Sequence, residues 1–202
     1  MTSGDILIST NPKRVPGRWR EGFALDQHTM SSVFVGYDEF GHERFDTKRS
    51  PAGDLMYALK YQSDQAAIAP LAEAAAAFLQ GWKPPLRVIL PVPASRTRAV
   101  QPVMLLATEI ATRTGLSIDP DVVKRVKDVP ELKNIHDFSE RLKLLADAHA
   151  VDCSKVSGKS VLLFDDLYRS GATMNAIANV LYDSCKVTDV YVLTITKTRS
   201  NT

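Results

Sequence analysis

The sequence contains little cysteine and no long apolar run. Cys153 and Cys185 are its two cysteines and form no CxxC pair. Their number and spacing argue against a disulfide framework or a four-cysteine zinc site, so we expect two small, buried or half-buried side chains. No apolar run approaches the length of a membrane span, and the first residues are too polar for a secretory signal. We therefore expect a cytoplasmic protein with no membrane partner.

An excess of charge of one sign is also missing. The 202 residues include 25 basic and 23 acidic side chains, for a net charge of +2. Overall charge therefore gives no argument for a nucleic-acid partner, although a local basic patch stays open. Apolar residues make up 45% of the chain, which is enough for a sizeable core in one α/β domain with a small extension.

The order of the predicted elements indicates the fold class. Strand-like and helix-like segments alternate in the second half, and residues 161–164, "VLLF", are typical of a strand buried on both faces. This alternation predicts an α/β fold with a central, mostly parallel sheet flanked by helices. The predicted helices cover 51–64, 65–82, 99–115, 139–148 and 173–184, and the predicted strands include 121–126, 159–166 and 187–197.

The first 50 residues give a weaker signal. Residues 1–30 contain prolines, glycines and basic residues around Trp19, which favours an irregular arm that wraps the domain over a basic, aromatic nucleic-acid contact. Residues 31–45 alternate apolar and polar side chains around the turn "DEFG" and predict a hairpin. We therefore divide the chain into an N-terminal extension and hairpin, 1–50, and an α/β domain, 51–202.

One stretch, "VLLFDDLYRSGAT" at residues 161–173, carries most of the functional information. Asp165 and Asp166 follow a buried strand, at the sheet edge where ligands of open α/β folds bind. The loop behind them leads into a helix whose free N–H groups favour an anion. Gly171 allows close backbone approach, and Ser170 and Thr173 add hydroxyls. Such a loop suits a phosphate beside a diol, as in a ribose 5-phosphate.

A purely structural interpretation of this stretch stays open, because an aspartate at a strand end often caps the next helix. Two glycine-rich phosphate motifs, GxxxxGK[ST] and GxGxxG, do not occur in the chain. Phosphate binding by either of those loops is therefore not expected.

The stretch resembles the thirteen-residue signature of type I phosphoribosyltransferases. Three further segments narrow the resemblance to the ComF-like branch, which is named for bacterial competence proteins. They are "GDLMYALKYQSD", "VILPVPASRTRAVQPVMLLA" and "LKNIHDFSERLKLLADAHAV", and their order agrees over about residues 50–195. The resemblance implies a type I phosphoribosyltransferase fold that binds phosphoribosyl pyrophosphate (PRPP) with Mg²⁺, and it suggests a homodimer.

The resemblance also implies roles for individual residues. Asp165 and Asp166 match the acidic pair that holds the ribose hydroxyls of PRPP, directly or through Mg²⁺. The other matching residues are Tyr168, Arg169, Ser170, Gly171, Ala172 and Thr173 for the 5-phosphate loop, Ala94, Ser95, Arg96 and Lys60 for the pyrophosphate, and Lys127 and Lys133 for a mobile loop at 127–138.

Three departures separate this chain from its relatives. Arg169 stands where 6-oxopurine salvage enzymes carry an aspartate, and a guanidinium cannot act as a general base. Leu144 replaces the asparagine that usually follows Glu140 and Arg141 in the ComF-like helix. The N-terminal zinc-ribbon cysteines of that branch are missing as well. Salvage of hypoxanthine or guanine by that mechanism is therefore not expected.

Two functions of different classes follow from these residues. The first is a Mg²⁺-dependent phosphoribosyltransferase that transfers ribose 5-phosphate from PRPP to an unidentified base or amine and releases pyrophosphate. The second is an accessory protein that senses PRPP or a nucleotide, or handles single-stranded DNA, without turnover. A coherent basic face would favour the DNA role, and its candidate residues are Arg14, Arg18, Arg20, Arg96, Arg98, Arg125 and Lys127.

Overall fold

The computed structural model describes residues 8–94, 100–127, 145 and 148–199. The strands are β1 (Lys13–Arg14), β2 (Glu21–Gln27), β3 (Thr29–Tyr37), β4 (Glu43–Arg49), β5 (Val88–Pro91), β6 (Ser117–Ile118), β7 (Val123–Arg125), β8 (His149–Val151), β9 (Ser160–Tyr168) and β10 (Asp189–Lys197). The helices are α1 (Pro51–Tyr57), α2 (Ile68–Trp82), α3 (Pro102–Thr114) and α4 (Ala172–Asp183).

The central sheet has six strands in the order β1-β2-β10-β9-β5-β6. All of its neighbours run parallel except the antiparallel pair of β1 and β2. Parallel strands place their carboxyl ends at one edge, so the ends of β2, β10, β9 and β5 meet there. The predicted α/β fold, with a central, mostly parallel sheet flanked by helices, is confirmed.

Strand β9 divides the core into two layers. Leu162 and Phe164 pack in the cluster that contains α1, α2 and α3. Val161 and Leu163 pack in the cluster that contains α4. Because successive side chains of a strand point to opposite faces, this uninterrupted apolar run fills both layers, as the sequence pattern predicts.

Strand β2 corrects the sequence interpretation of residues 1–30 as irregular, which is wrong. Residues 21–27, "EGFALDQ", form a strand that pairs in parallel with β10 along its length. Its apolar part is short and lacks β-branched residues, so its strand propensity is low. Tertiary pairing with β10 overrides that low propensity. The division of the chain at residue 50 stays a prediction.

Residues 29–49 form the predicted hairpin, and that prediction is confirmed. Strands β3 and β4 pair with each other and form a separate two-stranded sheet. Asp38 organises the turn, because its Oδ1 accepts hydrogen bonds from the N–H groups of Phe40 and His42 at 2.9 and 2.8 Å. Phe34 contacts Tyr37 and Phe45 edge to face, and all three rings are exposed.

The described helices also agree with the sequence. Ser50 caps α1 by accepting from the N–H of Gly53 at 3.0 Å, and Pro51 takes the first helical position, where its missing N–H costs nothing. Gly115 ends α3 in the left-handed conformation, as predicted. Helix α2 ends at Trp82, the last residue of the predicted helix. The predicted helix at 139–148 falls largely outside the described residues.

The two cysteines form a disulfide, which overturns the expectation of two unbridged side chains. Cys153 follows β8, Cys185 follows α4, and their Cα atoms lie 4.5 Å apart, 32 residues apart in sequence. Disulfides persist mainly in oxidising compartments. The expected cytoplasmic location stays a prediction that this bond does not favour. Among the residues that the structure describes, no helix has both the length and the apolar character to cross a membrane.

Reduction of the Cys153–Cys185 disulfide is expected to lower the free energy of unfolding by about 3 kcal/mol, because the bond restricts a long loop in the unfolded chain. Urea unfolding with and without reductant measures this difference. A Cys153→Ala/Cys185→Ala variant is the control and should not respond to reductant. An equal midpoint for oxidised and reduced wild-type protein would contradict the prediction.

A buried histidine outside the central sheet gives a pH prediction. His149 on β8 pairs with Arg125 on β7, and neither ring nitrogen of His149 has a hydrogen-bond partner among the described residues. Burial, with a smaller contribution from Arg125, lowers the pKa of His149 to about 4. A lowered histidine pKa gives stability that is complete above the unfolded value and is lost as the pH falls.

We therefore expect acidification from pH 6.5 towards 4 to cost about 3 kcal/mol of stability through His149. Chemical denaturation across this pH range should show that the free energy of unfolding changes less with pH for His149→Leu than for wild type. Equal slopes for the His149 variant and wild type would contradict the prediction.

Candidate functional site

The acidic pair lies at the carboxyl end of β9, inside the strand. Because side chains alternate along β9, Asp165 lies on the same face as Leu163, which packs with α4. Asp166 lies on the same face as Phe164, which packs with α1 to α3. The two carboxylates therefore leave the sheet on opposite faces. A ligand that contacts both of them must lie across the sheet edge.

Lys60 meets Asp166 directly. Its Nζ lies 2.7 Å from Oδ1 of Asp166, and each side chain is only 13% exposed. Lys60 belongs to a single π-helical turn, Ala58–Gln62, that continues α1, and such turns are frequent at functional sites. The buried Leu59 anchors this turn in the core. The structure thus brings the sequence-predicted Lys60 and Asp166 together as a half-buried ion pair.

Asp165 lies in a different electrostatic environment. Its Oδ1 accepts a hydrogen bond of 2.8 Å from the N–H of Asp166. Burial, and then the neighbouring charge of Asp166, raises the pKa of Asp165 to about 8. Burial thus favours the protonated form of Asp165 more than that of an ordinary aspartate, whereas Asp166 has the ammonium group of Lys60 beside it.

The loop behind the pair has the shape of an anion site. Gly171 has a φ of 73° and occupies the N-cap position of α4, which has no side-chain cap. The hydroxyls of Ser170 and Thr173 make no hydrogen bond to another described residue, so they stay available alongside the first N–H groups of α4. Arg169 is exposed in the same loop.

Gly171→Ala is expected to lower stability by about 1–3 kcal/mol, because the residue would be held in a left-handed conformation. The new Cβ would also lie 2.7 Å from the Tyr168 ring. The resulting shift of the loop should weaken binding of a phosphate-bearing ligand. Gly158 also has positive φ, with open space around it, so Gly158→Ala controls for backbone strain and should leave ligand binding unchanged. Equal ligand affinity of Gly171→Ala and wild type would count against the assigned loop.

Tyr168 packs against the loop that contains Gly171. It is buried, and its hydroxyl donates to the carbonyl oxygen of Pro16 at 2.8 Å. Trp19 packs edge-on against its ring, and the N–H of Arg18 donates to Asn175 of α4 at 2.8 Å. Residues 15–19 therefore hold Tyr168 and the first turns of α4 in place, whereas a wrapping arm over residues 1–50 stays a prediction.

The structure describes only some of the residues that the sequence assigns to pyrophosphate and to the mobile loop. Ala94 is exposed three residues beyond β5. Ser95, Arg96 and Lys133 lie outside the described residues. Lys127 is described, exposed and close to the end of that range. The assignment of these residues to pyrophosphate and to a mobile loop stays a prediction.

Sequence reasoning missed two residues of this site. Thr196 on β10 is fully buried, and its hydroxyl lies 3.3 Å from both the carbonyl oxygen of Asp166 and Nδ1 of His28. His28 follows the carboxyl end of β2. In the sequence His28 stands two residues after Asp26, a pair too small to indicate a metal site. Its place directly after "FALDQ" gains meaning only once β2 is recognised as a parallel strand.

The basic residues near the N-terminus do not form a free basic face. Arg14 lies 3.9 Å from Glu21, Arg18 lies 2.5 Å from Asp183, and Arg20 lies 3.6 Å from Asp189. Arg96 and Arg98 are outside the described residues, whereas Arg125 and Lys127 take part in interactions of their own. Local acids thus offset three of the seven candidate residues of the DNA-handling alternative.

Asp165 and Asp166 could ligate Mg²⁺ only together with ligands that the described residues do not supply. The described residues contain no group of three or more side chains of the kinds that ligate metals, and Lys60 already contacts one oxygen of Asp166. Mg²⁺ is commonly held by one or two protein carboxylates, with substrate phosphates and water completing its shell. The carboxylates of Asp165 and Asp166 are oxygen ligands of the kind that such an ion takes.

Comparisons with known proteins find similar folds among phosphoribosyltransferases. No protein-family model and no curated protein matches the chain. Yeast (Saccharomyces cerevisiae) adenine phosphoribosyltransferase is similar in structure, with 13% identity, a TM-score of 0.47 and coverage of 82% of this chain and 83% of that one. The adenine phosphoribosyltransferase of Trypanosoma brucei is 14% identical, with a TM-score of 0.46 and coverage of 93% of this chain and 75% of that one. An allosteric regulatory enzyme of purine biosynthesis is 16% identical, with a TM-score of 0.48 and coverage of 78% of this chain and 34% of that one. These values concern the fold alone, so the functional case rests on the site.

Proposed function

We propose that this protein is a Mg²⁺-dependent phosphoribosyltransferase that uses PRPP as donor and an unidentified base or amine as acceptor. The observation that carries the proposal is the Lys60–Asp166 ion pair beside Asp165, at the strand end that leads into the open Gly171 loop. A cation, two carboxylates and an uncapped helix N-terminus match the two ends and the diol of PRPP. Membership of the ComF-like branch and a homodimeric state remain parts of this proposal.

Each group in the site has a chemical task. The N–H groups and hydroxyls at 170–173 hold the 5-phosphate, because helix N-termini favour anions. Asp165 and Asp166 accept hydrogen bonds from the ribose hydroxyls. Lys60, fixed by Asp166, places a positive charge at the donor, and Ser95 and Arg96 are proposed to receive the pyrophosphate. Positioning and charge stabilisation supply most of the catalysis in such transfers.

The reaction breaks the bond between the anomeric carbon and the pyrophosphate oxygen. The sugar develops oxocarbenium-like charge, as in other glycosyl transfers. Mg²⁺, when bound with PRPP, supplies charge neutralisation for the departing pyrophosphate. The protein must hold the two ends of the donor apart and exclude water, and the 127–138 loop is proposed to close over the site for this purpose.

A binding-only role is the main alternative, because a sensor of PRPP would use the same donor-site residues. DNA handling is less favoured, since acidic partners offset Arg14, Arg18 and Arg20. Pyrophosphate release therefore decides between the two classes.

The test is pyrophosphate release from Mg²⁺–PRPP in the presence of adenine, orotate, nicotinate or ammonium chloride, each added separately. Release above the rate without protein, dependent on one acceptor, is the expected result. Tight PRPP binding without release from any acceptor would favour the sensor. The absence of both binding and release would overturn the proposal.

A further inference from the structure

His28 stands at the donor site but has no role in the assignments above. It follows β2, and its N–H donates to the carbonyl oxygen of Lys197 on β10 at 2.8 Å. The hydroxyl of Ser50 donates to the carbonyl oxygen of Gln27 at 2.5 Å and thereby ties the start of α1 to the end of β2. A Cβ at Gly53 would clash with the carbonyl oxygen of His28, so α1 packs directly on this residue. The backbone of His28 is therefore held firmly.

A hydrogen-bond chain connects the imidazole to the backbone of Asp166. The hydroxyl of Thr196 lies 3.3 Å from the carbonyl oxygen of Asp166 and 3.3 Å from Nδ1 of His28. The carbonyl oxygen can only accept, and the hydroxyl has a single proton. Both contacts are hydrogen bonds only if the hydroxyl donates to the carbonyl and Nδ1–H donates to the hydroxyl. The opposite order would place two oxygen lone pairs face to face.

This chain fixes the tautomer of His28. With the proton on Nδ1, a neutral ring has its lone pair on Nε2. Burial, followed by the positive charges of Lys60 and Arg49, lowers the pKa of His28, against the opposing effect of Asp166 and Asp54. The neutral form with a bare Nε2 is thus the form present at neutral pH.

We propose that Nε2 of His28 accepts the proton of the incoming acceptor, so the acceptor is a nitrogen compound that loses an N–H proton. This inference rests on the proposed function. The acceptor nitrogen forms the new bond to the anomeric carbon, and the pyrophosphate leaves with the electron pair of the broken C–O bond. The N–H proton passes to Nε2, and the imidazolium then releases it to solvent.

The first test is the tautomer itself, which needs no acceptor. Two-bond ¹H–¹⁵N correlation spectra of histidine-labelled protein distinguish a protonated from a bare ring nitrogen. We expect a protonated Nδ1 and a bare Nε2 for His28. The Thr196→Val variant lacks the hydroxyl and should lose this preference. A proton on Nε2 in the wild-type protein would overturn the proposal.

The second test uses His28→Asn, which keeps a donor near the Nδ1 position and removes Nε2. With PRPP binding unchanged, pyrophosphate release to adenine, orotate or ammonia (added as ammonium chloride) should fall about 100-fold or more, the usual effect of losing a general base. Equal release by variant and wild type would overturn the role of His28. Release by wild type with nicotinate alone, whose ring nitrogen has no proton to lose, would also overturn it and would leave the donor site intact. Absence of PRPP binding by wild type would instead overturn the proposed function.

Discussion

Lys60→Met is expected to destabilise the protein by about 3 kcal/mol, because it leaves the carboxylate of Asp166 half-buried without its cation. The two side chains are each 13% exposed and meet at 2.7 Å. Methionine keeps most of the apolar stem, so the loss is mainly electrostatic. Urea unfolding at neutral pH measures the change.

The double variant Lys60→Met/Asp166→Asn separates the ion pair from packing. Removing both charges should recover most of the lost stability, since neither group is then left unpaired. Lys48→Met, at an exposed lysine of β4, is the matched control and should change stability little. A single variant as stable as wild type would show that the ion pair does not hold this edge together.

Asp165→Asn/Asp166→Asn is expected to abolish measurable PRPP binding while leaving the fold intact. Each carboxylate that accepts hydrogen bonds from the ribose contributes about 1.5–3 kcal/mol, so losing both weakens binding about 100-fold or more. The fold should survive at reduced stability, because Lys60 loses its counterion but can still donate a hydrogen bond to the amide oxygen introduced at position 166, and because burial already disfavours ionisation of Asp165. Isothermal titration calorimetry measures the affinity, and circular dichroism checks the fold.

A matched pair on the hairpin controls for the change in net charge. Glu43→Gln/Asp46→Asn removes the same two charges from exposed positions of β4 and should bind PRPP as wild type does. Wild-type affinity in the Asp165/Asp166 variant would refute the placement of the donor site.

Local patterns in the sequence predicted the parallel sheet and the candidate loop. The apolar run at 161–164 and the loop of small and hydroxyl residues around Gly171 can both be read from the sequence. The left-handed conformation of Gly171 appears only in the structure. Strand β2 escaped prediction because its buried residues, which include Gly22, Ala24 and Leu25, have low strand propensity. Only its pairing with β10, more than 160 residues later, makes it a strand.

Contacts between residues distant in sequence also escaped prediction, because local sequence patterns do not show them. The Cys153–Cys185 disulfide depends on where β8 and α4 end, which cysteine spacing does not reveal. The His28–Thr196 contact joins residues 168 positions apart. Lys60 was predicted only through the family resemblance, because on a helix it looks like any solvated lysine. Its π turn and its ion pair with Asp166 are visible only in three dimensions.

The measurement that tests the central claim most directly is calorimetric titration of the wild-type protein with PRPP, ribose 5-phosphate and pyrophosphate, each with and without Mg²⁺. The donor site proposed here holds both ends of one molecule, so PRPP with Mg²⁺ should bind more tightly than either fragment. Fragment affinities equal to that of PRPP, or no heat from any of the three ligands, would contradict the assignment of this strand end as a PRPP site.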